Sequence, residues 1–189
     1  NGKQNGNWKT YYENGKLTDE GNWKDHKQNG NWKYYFENGK LLADGDFIDG
    51  KKNGIWKTYN ENGQLKNEGN FIDDKKNGLG KTYHENGKLN MEGNWKDGKP
   101  NGIWKYYFEN GTLKEEGNWK DDKLNGISKY FNNNGFLIEE GVFNNGEING
   151  PWKVYNENGK VNKIIYYENG DFIKTTCWDN EGDEITCEE

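Results

Sequence analysis

Apolar and aromatic side chains fall at alternate positions in short runs of this chain, and the runs recur every 24 residues. In the first run Trp8, Thr10 and Tyr12 alternate with Asn7, Lys9 and Tyr11; in the next, Leu17 and Trp23 share a face from which Glu20 is absent. A period of two predicts β-strands with one apolar and one polar face. Asn-Gly separates the two runs at Asn14-Gly15 and returns at Asn38-Gly39, Asn62-Gly63, Asn86-Gly87, Asn110-Gly111, Asn134-Gly135 and Asn158-Gly159. Asn-Gly between alternating runs predicts a two-residue type I′ hairpin turn, in which both residues need positive φ. Stretches rich in Asp, Gly and Lys at 25–30, 49–54, 73–78, 97–102, 121–126 and 145–150 read as longer loops between hairpins.

A second Asn-Gly opens each unit, near residues 5, 29, 53, 77, 101, 125 and 149, and no insertion breaks the register. A fixed period of this length means stacked supersecondary units. The expected fold is all-β: an elongated, single-layer antiparallel meander of about seven hairpin repeats over residues 1–167, curved into a trough, with a C-terminal capping hairpin over 168–189. Counting back from the turn sets Tyr12 opposite Leu17, Lys9 opposite Glu20, and Trp8 over the bare Gly21 of its own hairpin. Lys9 returns as Lys33, Lys57, Lys81, Lys105, Lys129 and Lys153, a ladder facing a column of acids.

Composition narrows the function. Hydrophobic residues make up 30% of the chain and charged residues 31%, which would suit a disordered chain, but 15% are aromatic and nine are Trp. Disordered chains are poor in aromatics, so the rings must hold a thin structure together. The net charge is -6 and the chain has no Arg; nucleic-acid binders use basic faces and Arg forks, so no nucleic acid is expected. The same balance argues against membrane lipid. Asn1-Gly2-Lys3-Gln4 corresponds to the end of a repeat, Asp25-His26-Lys27-Gln28, which reads as the start of a fragment or a mature form.

The stretch Asn53-Gly-Ile-Trp-Lys-Thr-Tyr-Asn-Glu-Asn-Gly-Gln-Leu-Lys-Asn-Glu-Gly-Asn-Phe71 resembles the MORN repeat, in the variant found in bacterial tandem arrays. The resemblance implies an antiparallel sheet of hairpins that serves protein–protein contact or scaffolding, with lipid binding in some members. Members of the variant are often described as antitoxin components. The family brings no catalytic motif and no cofactor.

Departures from the repeat are the candidate specific features. The column Trp8, Trp32, Trp56, Trp104, Trp152 is interrupted by Gly80 and Ser128, two notches where a partner could insert a side chain. Trp23, Trp95 and Trp119 add rings to the same face. These eight Trp are the expected contacts for a protein partner; the alternative is a glycan- or choline-binding surface. No catalytic residue and no metal site are expected. His26 and His84 are far apart, Ser128 has no nucleophile motif around it, and Asp73-Asp74 or Asp121-Asp122 supply too few oxygens for calcium. Cys177 and Cys187 can meet across the cap; a disulfide there points to an exported or cell-surface protein. Exposed end strands would permit a homodimer.

Overall fold

We describe residues 2–187 in a computed structural model, where they form seventeen strands and no helix. The chain divides into two compact units, one ending at Lys99 and one beginning at Pro100. In the first, β1 (Gly6–Tyr11), β2 (Leu17–Lys24), β3 (Lys27–Gln28), β4 (Gly30–Tyr35), β5 (Leu41–Ile48), β6 (Lys51–Tyr59), β7 (Leu65–Ile72), β8 (Lys75–Tyr83) and β9 (Leu89–Lys96) follow in order. β10 (Lys99–Tyr107) begins at the boundary, and β11 (Leu113–Lys120), β12 (Lys123–Phe131), β13 (Leu137–Asn144), β14 (Glu147–Tyr155), β15 (Val161–Glu168), β16 (Asp171–Trp178) and β17 (Glu184–Ile185) complete the second unit. Within each unit every strand pairs antiparallel with its sequence neighbour, a single-layer meander; β3 and β4 are one strand interrupted at Asn29, and both pair with β2. The fourteen hairpin strands expected from seven repeats are all present.

The expected turns exchange places. Residues with positive φ are not Asn14 and its equivalents but Asp25 and His26, Asp73 and Asp74, Asp121 and Asp122, and Asp49, Asp97, Asn145 and Asn169 with the glycine after each. The tight two-residue turn is therefore the one between repeats, where Lys24 pairs with Lys27 and Ile48 with Lys51. The Asp pairs that resemble ion ligands are there because Asp tolerates left-handed backbone. At Asn14-Gly15, only Gly15 is left-handed (φ 79°), and its N–H donates to the Tyr12 carbonyl. This is a wider turn with a glycine bulge, so the ladder slips by one residue and Leu17 pairs with Tyr11, not Tyr12.

The Asn of this turn works through its side chain. Asn14 Oδ1 accepts the Lys16 N–H at 3.0 Å, and Asn38 Oδ1 accepts the Lys40 N–H at 2.9 Å. The amide also reaches the next repeat: Asn38 Nδ2 donates to the Glu61 carbonyl at 3.1 Å, and Lys40 Nζ to the Asn62 carbonyl at 2.9 Å. The hairpin tips of successive repeats are thereby tied together.

The cap repeats the same grammar. β16 follows a two-residue turn at Asn169-Gly170 and pairs with β15, as the first strand of a further repeat would. Its turn is closed by the Gly182 N–H donating to the Asp179 carbonyl. Cys177 sits opposite Ile185 in the ladder and forms a disulfide with Cys187, with S–S 2.06 Å and Cα–Cα 5.4 Å. Residues 188 and 189 of the expected cap lie outside the described residues.

Candidate interaction site

The register places Trp8 and Gly21 in one pair and Lys9 and Glu20 in the next, as counted from the sequence. The ring that covers Gly21, however, is Trp32, from the following repeat. A Cβ added at Gly21 would lie 2.2 Å from Trp32 Cδ2; at Gly45 it would lie 2.3 Å from Trp56 Cδ2, and at Gly141 2.1 Å from Trp152 Cε3. Each ring thus occupies the space that the preceding repeat's glycine leaves bare. Trp32 Nε1 donates to the Asn22 carbonyl at 3.1 Å and Trp56 Nε1 to the Asp46 carbonyl at 3.0 Å, again in the preceding repeat. A buried indole N–H needs such an acceptor.

Trp23, Phe47 and Phe143 supply edges to this row. Trp23 meets Trp32 at 5.4 Å and 89°, and Phe47 meets Trp56 at 4.9 Å and 80°, both edge-to-face. Tyr34 leans between Trp32 and Trp56 at 6.1 and 6.3 Å. Such pairs add ~0.5–1.5 kcal/mol each beyond area burial. Trp32, Trp56 and Trp104 are 2%, 5% and 3% exposed, whereas Trp8, in the first described strand, is 40% exposed. Trp23, Trp95, Trp119 and Trp152 are half-buried.

The opposite face carries the polar ladder. Glu20 accepts the Tyr35 hydroxyl at 2.6 Å and faces the Lys9 ammonium at 3.2 Å, and both interactions hold its carboxyl below the usual range. Burial and the Glu20 carboxylate push the Tyr35 phenol up to about 12. Tyr83 with Glu68 at 2.8 Å and Tyr155 with Glu140 at 2.8 Å repeat the motif. Two residues before the Lys of each strand stand apolar side chains that are roughly half exposed: Ile55 and Leu79 in the first unit, Ile103 and Ile127 in the second.

Among the described residues no three His, Cys, Asp or Glu converge as metal ligands. His26 occupies a turn, where its Nδ1 accepts the Gln4 N–H at 3.2 Å, and His84 lies half-buried at the start of a hairpin turn.

The repeats match a known family in sequence. The MORN repeat variant matches residues 4–25, 28–49, 52–73, 76–97, 100–121 and 148–170, more than half of the chain. The chain belongs to the MORN-repeat family. The MORN repeat itself matches residues 116–135, which reach into the unit that holds Ser128. No curated protein matches the chain. MORN repeats are commonly protein- or membrane-binding modules and are generally non-catalytic scaffolds.

The two interruptions of the MORN tryptophan column are structurally unlike. Ser128 is 0% exposed, and its Oγ has no hydrogen-bond partner among the described residues. Leu124 has moved into the space of the missing ring, with Cδ2 2.9 Å from where a Gly117 Cβ would lie. Gly80 instead leaves a cavity of about 270 Å³, lined by Trp56, Gly69, Phe71, Lys76, Met91 and Trp95 among others. A buried hydroxyl without a partner costs ~1–3 kcal/mol. Ser128→Ala is therefore expected to raise the unfolding free energy by about 1 kcal/mol, as read from the urea midpoint at unchanged slope.

Proposed function

We propose that this MORN array is a non-catalytic scaffold that binds a protein partner. The observation that carries the reading is the repeated exposure of Ile55 at 62%, Leu79 at 47%, Ile103 at 54% and Ile127 at 57%. Apolar side chains left about half exposed at a fixed repeat position give the fold less than buried ones do, and their open halves are available to a contact. Tyr and Lys flank them, residues suited to a polar rim. The partly exposed rings of Trp8, Trp23 and Trp95 in the first unit, and of Trp119 and Trp152 in the second, offer further contacts on the other face of each unit. Trp32, Trp56 and Trp104 serve it indirectly, by fixing the frame.

A choline or glycan ligand would need open ring faces, and those of Trp32, Trp56 and Trp104 are covered. The Cys177–Cys187 bridge fits an oxidising compartment, which favours an exported or surface-displayed scaffold. An immunity-type inhibitor that masks a toxin would use the same kind of face. The test is capture: the immobilised chain is exposed to native extract and culture fluid, and retained proteins are identified by mass. One stoichiometric partner is expected, released when Ile55→Lys and Leu79→Lys are combined in a protein that still folds. Retention indifferent to that pair, or no retained protein, would overturn the reading.

A further inference from the structure

The cavity at Gly80 is a ring position that no side chain of its repeat fills, unlike the one at Ser128, which Leu124 occupies. In the preceding repeats an indole lies over Gly21 and over Gly45. Over Gly69, the equivalent glycine, a Cβ would meet only Gly80 Cα and Phe71 Cε2, both at 3.9 Å. Gly69 pairs with Gly80, and Gly80 with Gly93, so three adjacent strands present bare backbone as a floor. Phe71 and Trp56 stand on one side, Met91 and Trp95 on the other. Trp95 leans part-way in, with Nε1 2.7 Å from a Gly80 Cβ position, but does not fill the space.

One residue decides that the cavity stays open. The position from which Leu124 fills the Ser128 gap is Lys76 in this repeat. An ammonium cannot be buried without a counter-ion, so Lys76 stays at the rim, with Nζ 4.3 Å from the Trp95 ring centroid. Lys52 does likewise, with Nζ 4.3 Å from Trp56 and 5.7 Å from Phe71. Neither ammonium has a carboxylate within ion-pairing distance among the described residues. Glu68 also lines the cavity, but it accepts the Tyr83 hydroxyl and stands opposite Lys57 and Lys81 in the ladders. The rim is therefore cationic and the interior aromatic.

We propose that the Gly80 cavity seats a tryptophan side chain of the protein partner, with an acidic residue beside it held by Lys52 and Lys76. The inference rests on the scaffold reading above. The incoming indole takes the place that Trp32 and Trp56 hold in their own repeats. There each N–H donates to the carbonyl of Asn22 or Asp46; the equivalent acceptor here is Asn70, to which Gly80 offers no such donor. Edge-to-face contact with Phe71 and Trp95, sulfur contact with Met91 and charge pairing at the rim supply the affinity. A single ring in a desolvated pocket is a common anchor of an interface.

The probe is the peptide acetyl-Asp-Trp-Glu-amide, titrated into the full chain by calorimetry, with amide shifts of Gly69 and Gly80 followed by NMR. Saturable binding is expected, with shifts confined to this cavity. Gly80→Trp, which restores the missing ring, is expected to abolish it. Because Trp95 must yield to that ring, a second variant is paired with it: Lys52→Gln with Lys76→Gln is expected to weaken binding about tenfold and to remove its salt dependence. Ala in place of the peptide's Trp is expected to do as much damage. No saturable binding, or equal binding by folded Gly80→Trp, overturns the proposal. Binding of N-acetyltryptophan carboxylate but not of the peptide overturns the assignment to a protein segment. A captured partner that Gly80→Trp still retains, while the Ile55/Leu79 variant loses it, overturns the cavity and leaves the scaffold standing.

Discussion

Replacing Gly45 with alanine is expected to destabilise the array by about 2–3 kcal/mol, although one methyl group is all that is added. The reason is the Trp56 ring, whose Cδ2, Cε2 and Cγ lie 2.3 to 2.5 Å from the position the new Cβ would take. No atom of a buried ring can share that space. The ring must lift, which breaks its 3.0 Å bond to the Asp46 carbonyl and its edge contact with Phe47. The same substitution one repeat later, Gly69→Ala, meets nothing closer than 3.9 Å. Alanine loses less backbone freedom than glycine on folding, so Gly69→Ala is expected to be neutral or to stabilise by about 0.5–1 kcal/mol. Urea unfolding of the two variants checks the contrast. Equal penalties at both positions would mean that the glycines serve the backbone and not the ring.

Removing the ring gives the second large effect. Trp56→Ala is expected to cost about 3–5 kcal/mol, the range for large buried aromatics. Trp56 is 5% exposed and belongs to the cluster of Trp32, Phe47 and Trp56, with Trp23, Tyr34 and Phe71 packed against it. Its loss also opens a void beside the Gly80 cavity, so two adjacent repeats lose their mortar. Trp8→Ala removes the same residue type from a 40% exposed position and is expected to cost no more than about 1 kcal/mol. The pair is read in one series of urea curves. Similar costs would show that burial over the preceding glycine is not what the ring contributes.

Much of the frame is legible in the residues. The two-residue period assigns faces, and the Asn-Gly spacing sets Lys9 against Glu20 and Trp8 against Gly21, as in the ladder. The turns are misread because Asn-Gly and Asp-Gly both tolerate left-handed backbone; only the hydrogen bonds of Asn14 show that its side chain, not its φ, is what the turn uses. The stacking partner is misread for a different reason. In a perfect repeat each glycine has a tryptophan strand on both sides, its own and the next, so Gly45 pairs with Trp32 while Trp56 covers it. Periodicity cannot tell these apart, since both contacts repeat with the same spacing. The difference between the Gly80 and Ser128 gaps was in the chain all along, at Lys76 and Leu124. It acquires meaning only once those side chains are seen to stand at the mouths of the gaps.

The claim on which the rest depends is that each ring cements its repeat to the one before. A double-mutant cycle tests it: Gly45→Ala is combined with Trp56→Ala and, separately, with Trp32→Ala, and each is followed by urea unfolding. Residues in contact couple, and independent ones add to within about 0.5 kcal/mol. If the ring of the following repeat covers the glycine, Gly45→Ala becomes harmless once Trp56 is gone, a coupling of at least about 2 kcal/mol, and keeps its full cost when Trp32 is gone. Coupling to Trp32 alone, or additivity with both, would contradict the account.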